Sequence, residues 1–504
     1  MFYFLTANPS MRFIFPFFFF FFCAQNATAM PHFEFTPLAR RAYDKALSLR
    51  FAEAYGLLAQ LQKQDPDNLI ADFIENYIDF FTVFINEDED EFHRLEKNKD
   101  RRLDKIKKGD QTSPYFLYTQ AEINLQWAMA RLKFGEYFTA FNEVSSAHKL
   151  LKNNIEKFPD FIANKKSLGI LQAAAGTIPD SYQWGVRFLS GIRGSIPNGR
   201  RQIEEIIAYS EKNDFIFEQE TLVMYAFLML HLENQSEEAW KIIHSSRLQS
   251  AQNPLACFAL ANVAQRTGRN EDALKLLENR PQGAGFHPFY FLDYMFGLSK
   301  LYRQDADADK YLLRFAQNFK GINYLKECYQ KLAWHALVVR GDAAAYKSYL
   351  AQCKTHGKTN IGGDKNAQRE AESGNLPDLN LLKARLLFDG GYFVRADEAL
   401  RTTSEYNLPT KDKKLEYQYR MGRIQHRLGK TSEAVRFYQK TIDEGRYEPY
   451  YFACNAALQM GQLYEDQRQR EKAKQYYRLC LDISPDEHKT GLHQKAKSGL
   501  ERLK

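Results

Sequence analysis

The chain has 504 residues, 44% hydrophobic and 26% charged, with 69 basic and 62 acidic side chains and a formal net charge of +7. That length exceeds what one hydrophobic core organises, so the chain holds several domains or a stack of repeats, each packed only on its neighbours. The charge is mild, mixed in sign and free of Lys/Arg blocks, which argues against nucleic acid as a partner; 16 Pro and 27 Gly are fewer than a turn-rich β protein needs.

The first residues read as a targeting segment. Arg12 precedes an apolar run from Phe13 to Phe22, and small and polar residues follow, ending in Ala27-Thr28-Ala29. This pattern predicts a secretory signal peptide over residues 1–29, cleaved after Ala29. The run falls short of the ~20 apolar residues that a span requires. Lipoprotein anchoring at Cys23 would want a small residue before it, and Phe22 stands there. The expectation is an exported chain, periplasmic or associated with the cell envelope, with no membrane span after residue 29.

Beyond that segment one spacing recurs: a small residue at i, Gly near i+7, Ala at i+12, a large apolar residue at i+16 and a small one at i+19. Ala42, Ala54, Leu58 and Leu61 begin it. Ala128, Gly135, Ala140, Val144 and Ala147 repeat it, and so do Ala261, Gly268, Ala273 and Leu277. Weaker copies contain Phe227, Ala239, Ile243 and Ser246, and then Trp334, Gly341, Leu350 and Cys353. The clearest run comes last: Ala384, Gly391, Ala396 and Leu400; Gly422, Gly429, Ala434 and Tyr438; Gly461, Ala473, Tyr477 and Cys480, with Arg468 in place of the Gly. Small residues at i and i+12 let two antiparallel helices cross closely. The Gly between them supplies a left-handed cap, and Pro485 stops the last second helix.

These signals predict divergent helical repeats over 30–206, central repeats over 207–354, an exposed polar loop over 355–378 and a C-terminal array over 379–504. Residues 486–504 read as a polar capping helix. The charge-dense stretch from Asn86 to Pro114 reads as a solvated helix extension or loop, and Gly176 to Asn198 breaks the repeat phase.

The stretches DLNLLKARLLFDGGYFVRADEALRTTSEYNLP, EYQYRMGRIQHRLGKTSEAVRFYQKTI and ALQMGQLYEDQRQREKAKQYYRLCLDISP resemble the tetratricopeptide repeat superfamily. The resemblance implies an all-α, superhelical solenoid of helix hairpins with a C-terminal capping helix, and a scaffold in place of an enzyme. Residues 161–206 are similar to a segment of the tetratricopeptide repeat protein 39 and inclusion-body-clearance family, from which architecture alone is taken.

No HExxH helix, GxSxG elbow or GxxxxGK[ST] loop occurs in the sequence. His231, His244, His287, His335 and His426 have no Cys or His at ligand spacing. No catalytic residue, metal or cofactor is therefore assigned. Cys328 and Cys353, and Cys454 and Cys480, come face to face in antiparallel hairpins. Two disulfides are geometrically open to an exported chain, against the alternative of Cys as a small buried residue.

The first helices of such an array line its concave side. Helical geometry then exposes Arg385, Phe388, Tyr419, Arg423, His426, Arg427, Leu458, Gln462 and Glu465 there. A basic, aromatic groove of this kind suits an acidic or C-terminal peptide segment; the alternative is an ordinary solvated face. The expected function is an exported scaffold that binds protein. A glycan-handling envelope protein and an enzyme with a site assembled across loops are the competing readings.

Overall fold

The computed structural model describes residues 30–176, 192, 194–231 and 235–503. The expected signal peptide, residues 1–29, lies outside them. Among the described residues are 24 α-helices, a short 3-10 turn at Glu405–Asn407 and one isolated bridge between His32 and Asn68.

The helices follow one another as hairpins. In the C-terminal array Leu379–Asp389 pairs with Phe393–Arg401, Lys411–Arg427 with Thr431–Gly445, and Phe452–Asp466 with Arg470–Asp482. Lys489–Arg502 packs on the last pair as the expected cap. Upstream, the same arrangement runs from Pro37–Leu47 with Phe51–Gln64 through to Leu325–Val338 with Ala343–Thr355. The apolar core is a series of segments along the stack, as an all-α solenoid requires.

The repeat spacing accounts for the nesting. Ala384, Ala396, Ala434 and Ala473 are wholly buried. A Cβ on Gly422 would stand 2.7 Å from Tyr438 Cδ1, and one on Gly461 would stand 2.5 Å from Tyr477 Cδ1. The bulky ring at i+16 thus fills the room left by the missing side chain, and burying an apolar side chain of that size contributes roughly 1.5–3 kcal/mol. Gly391 and Gly429 end their helices at φ 84° and 76°; Arg468, where the third copy lacks Gly, holds φ 59°.

Two segments differ from the sequence reading. Within the expected loop over 355–378 lies the helix Gly362–Ser373. Its buried Asp364 accepts hydrogen bonds from the backbone N–H of Tyr324 at 2.7 Å and of Glu327 at 2.9 Å, and Ala367 and Ala371 are buried beside it. A buried face of one Asp and two Ala leaves almost no hydrophobic signal. The charge-dense stretch after Asn86 is the helix Glu89–Ile106, and it is not merely solvated. It buries Phe92, Leu103 and Ile106, and Arg102 pairs with Asp79 at 2.6 Å.

The stack also closes on itself. The turn at Gly268 touches the turn at Gly391. The His287 N–H donates to the Leu49 carbonyl at 2.7 Å, and the Asn323 side chain donates to Glu87 at 2.6 Å.

Candidate functional site

The residues expected on the concave face divide into three groups. Tyr419 and Leu458 are each 1% exposed and belong to the core, where the Tyr419 ring lies 5.6 Å from that of Phe452. Their i−3 positions point between helices because successive hairpins nest more closely than a simple helical wheel allows. Glu465 is used internally: it receives both Nε and Nη2 of Arg502 at 2.9 Å and so holds the capping helix. The remaining residues form a surface.

On that surface the Arg423 guanidinium sits 4.1 Å above the Phe388 ring, and its Nε is buried without a hydrogen-bond partner. Arg427, one turn on, lies 4.9 Å above Phe393. These cation–π contacts hold the two Arg side chains extended against the preceding hairpin. Arg385 stacks 4.7 Å above Trp334 and stands 4.0 Å from Asp389. His426 Nδ1 lies 3.4 Å from the Tyr438 hydroxyl. Burial pushes the His426 pKa down, and Arg427 and Arg423 add to the effect. Gln462 is half-buried on the next first helix.

Sequence reasoning missed the cations that other elements bring to the same surface. Lys495, from the capping helix, has its pKa lowered by burial and then by Arg423 and Arg266. His231, from the helix Glu218–His231, is pushed down to about 4 by burial, with Arg266 and Lys495 adding to it. Burial lowers the Arg427 pKa, Glu237 opposes the shift, and Arg423 and Arg269 reinforce it. Arg266, Arg423, Arg427 and Lys495 thus act on one another across helices far apart in sequence. Among the described residues none of these four forms an ion pair. The signal was spread over helices far apart in sequence, among them those joined at the contact of Gly268 with Gly391.

The five described cysteines, Cys257, Cys328, Cys353, Cys454 and Cys480, are free thiols, all buried. Cys454 Sγ and Cys480 Sγ lie 3.6 Å apart, face to face as their spacing predicts. Cys328 instead donates to the Leu312 carbonyl at 3.3 Å. Among the described residues no His/Cys/Asp/Glu group could hold a metal ion, and no helix is long and apolar enough to cross a membrane.

Residues 455–487 match the tetratricopeptide repeat family model. No curated protein sequence matches the chain. Among solved structures, the chain is similar to the human IFIT1 dimer with m7Gppp-AAAA, at 14% identity over 92% of this chain and 93% of that one, with a TM-score of 0.30. It is also similar to Naa15/Naa10 bound to HypK-THB, at 14% identity over 88% and 67%, with a TM-score of 0.21. Likeness at this level says nothing of a shared ligand. The resemblance of residues 161–206 to the tetratricopeptide repeat protein 39 family finds no counterpart among these matches, and part of that stretch lies outside the described residues.

Proposed function

We propose that this chain, a tetratricopeptide-repeat-type helical scaffold, is exported and non-catalytic and holds an acidic or C-terminal segment of a partner protein on its cationic surface. One observation carries the reading: Arg423 and Arg427 lie extended over Phe388 and Phe393, with Arg266 and Lys495 acting on the same surface, and among the described residues none of the four cations is held in an ion pair, Glu237 and Asp389 being the acids nearest to act on them. Like charges held this close repel, and an anion seated among them relieves that repulsion. Planar guanidinium forks braced on Phe388 and Phe393 suit carboxylates, which they bind bidentately. The glycan alternative is less supported, because Trp127 and Trp334 are buried and Trp240 lies under the Arg269 guanidinium.

The test is fluorescence anisotropy with a labelled oligo-glutamate peptide, an oligo-lysine control and a single-stranded RNA of matched charge. The acidic peptide should bind in a salt-sensitive way, and R423E/R427E should weaken it by about tenfold or more. The exposed control R436E should not. Tighter binding of the RNA, or binding unaffected by the double reversal, contradicts the proposal. N-terminal sequencing of the chain recovered from the envelope tests export, with Met30 the expected first residue.

A further inference from the structure

A pocket of about 770 Å³ lies in the N-terminal half, well removed in sequence from the C-terminal cations. The helices Ile70–Asn86, Tyr115–Phe134, Ala163–Gly176, Glu218–His231 and Pro254–Arg266 line it, and Phe289, Phe319 and Tyr324 complete the wall. Its size falls within the range of about 300–1,000 Å³ typical of small-molecule sites. The lining is apolar almost throughout. Phe84, Leu125, Met129, Val223, Phe227 and Phe258 all face it, and each keeps part of its surface uncovered. Leaving apolar surface open costs about 25 cal/mol per Å², and a roomy apolar cavity favours an apolar occupant over water.

The few charges in the wall select the kind of occupant. Lys133 pairs with Glu87 at 2.5 Å, and its ammonium sits 4.4 Å above the Phe84 ring. Glu122 and Glu220 both reach Lys166 at 2.9 Å. Among the described residues no lining cation is left for the carboxylate or phosphate of an anionic amphiphile. Glu122 and Glu220 share the Lys166 ammonium and also accept from the Ser167 and Tyr43 hydroxyls, and the second lone pair of each carboxylate oxygen still leaves acceptor capacity for one more hydrogen-bond donor. The walls are also fixed in advance, because the His287–Leu49 and Asn323–Glu87 hydrogen bonds tie the far side of the pocket to its N-terminal helices.

We propose that this pocket binds a neutral, lipid-sized apolar molecule whose hydroxyl end donates to Glu122 or Glu220. The binding is independent of the peptide surface and survives R423E/R427E. The full chain is titrated with N-phenylnaphthylamine, a neutral fluorophore that brightens in apolar surroundings, and the probe is then displaced with hexadecanol or with palmitate of the same chain length. Saturable enhancement is expected, with hexadecanol displacing the probe about tenfold better than palmitate. Met129→Trp and Val223→Trp, made singly and together, place an indole in the space and should weaken the probe by about tenfold at unchanged helicity. No enhancement, palmitate equal to hexadecanol, or full binding by both single variants overturns the proposal. Displacement by an apolar helical peptide but not by hexadecanol overturns it in favour of a protein segment.

Discussion

Gly268 and Gly391 meet backbone to backbone: a Cβ on Gly268 would stand 3.5 Å from the Gly391 Cα, and a Cβ on Gly391 would run into the Gly268 carbonyl oxygen. Tyr392 secures the contact, its hydroxyl donating to Glu271 at 2.6 Å while the Asn270 amide donates to it at 3.0 Å. This junction brings the Arg266 and Arg427 helices together.

Gly391→Ala should therefore lower stability by roughly 2–3 kcal/mol, through both the lost approach and the left-handed φ of 84°. Gly429→Ala has a similar φ of 76° but open space around its Cβ, and should cost only about 1–2 kcal/mol. Urea unfolding midpoints compare the two. Equal losses would mean that the junction is not a tight contact.

The hairpins with a Gly cap and small crossing residues were legible, because packing demands those residue types at fixed offsets. The hairpin Phe291–Arg303 with Ala308–Asn318 was not: Gln304, not Gly, takes the left-handed cap at φ 69°. Its crossing is instead made by Gly297, whose Cβ would stand 2.7 Å from Leu312 Cγ. Arg423 and Arg427 were legible as surface cations on a helical wheel. Lys495, Arg266 and His231 were not, because their meeting depends on how far the stack turns, and that is set by many small contacts such as Gly268 with Gly391.

The N-terminal closure should loosen in acid. The His287 ring packs tilted against Phe51 with centroids 4.8 Å apart and lies 3.0 Å from Asn86 Oδ1, and burial pushes its pKa from 6.5 down to about 4. The folded chain then binds this proton less readily than the unfolded chain. Its contribution to stability is complete above pH ~6.5 and is lost as pH falls towards ~4, on the order of 3 kcal/mol in all. Burial pushes Asp364 up to about 6, so that group acts with the opposite sign. The informative measurement is thus the difference between wild type and His287→Gln. That difference should shrink from pH 7 to pH 4; a constant difference would rule out a buried neutral imidazole.

Cys454 and Cys480 should join under mild oxidation. Their sulfurs are 3.6 Å apart on facing helices, so a small shift suffices to form the bond. Alkylation in denaturant after diamide treatment should then leave these two thiols unmodified until reductant is added, with Cys257 remaining reactive. Alkylation of all five thiols without reductant would show that nesting of the two helices keeps the sulfurs apart.

The strongest single loss of stability is expected at Lys166. It is fully buried, reaches Glu122 and Glu220 at 2.9 Å each, and is enclosed by carboxylates that also accept hydrogen bonds from Ser167 and Tyr43. Burial pulls the Lys166 pKa down, but Glu122 and Glu220 outweigh it and hold the pKa well above the usual lysine range. The ammonium is therefore charged throughout the neutral range, and its stabilisation is present below the unfolded lysine pKa of ~10.4. Lys166→Met strands two carboxylates beside each other and should cost roughly 3–5 kcal/mol at pH 7. In that variant one carboxyl is driven to hold its proton, so the folded chain binds more protons than the unfolded chain and stability should rise as pH falls from 7 towards 5. Replacing both acids as well, in Lys166→Met/Glu122→Gln/Glu220→Gln, leaves no buried charge and should recover part of the loss and remove that pH dependence. A Lys166→Met variant as stable as wild type, or one whose stability falls with pH as wild type's does, would show that the network is solvated and not a buried ion triad.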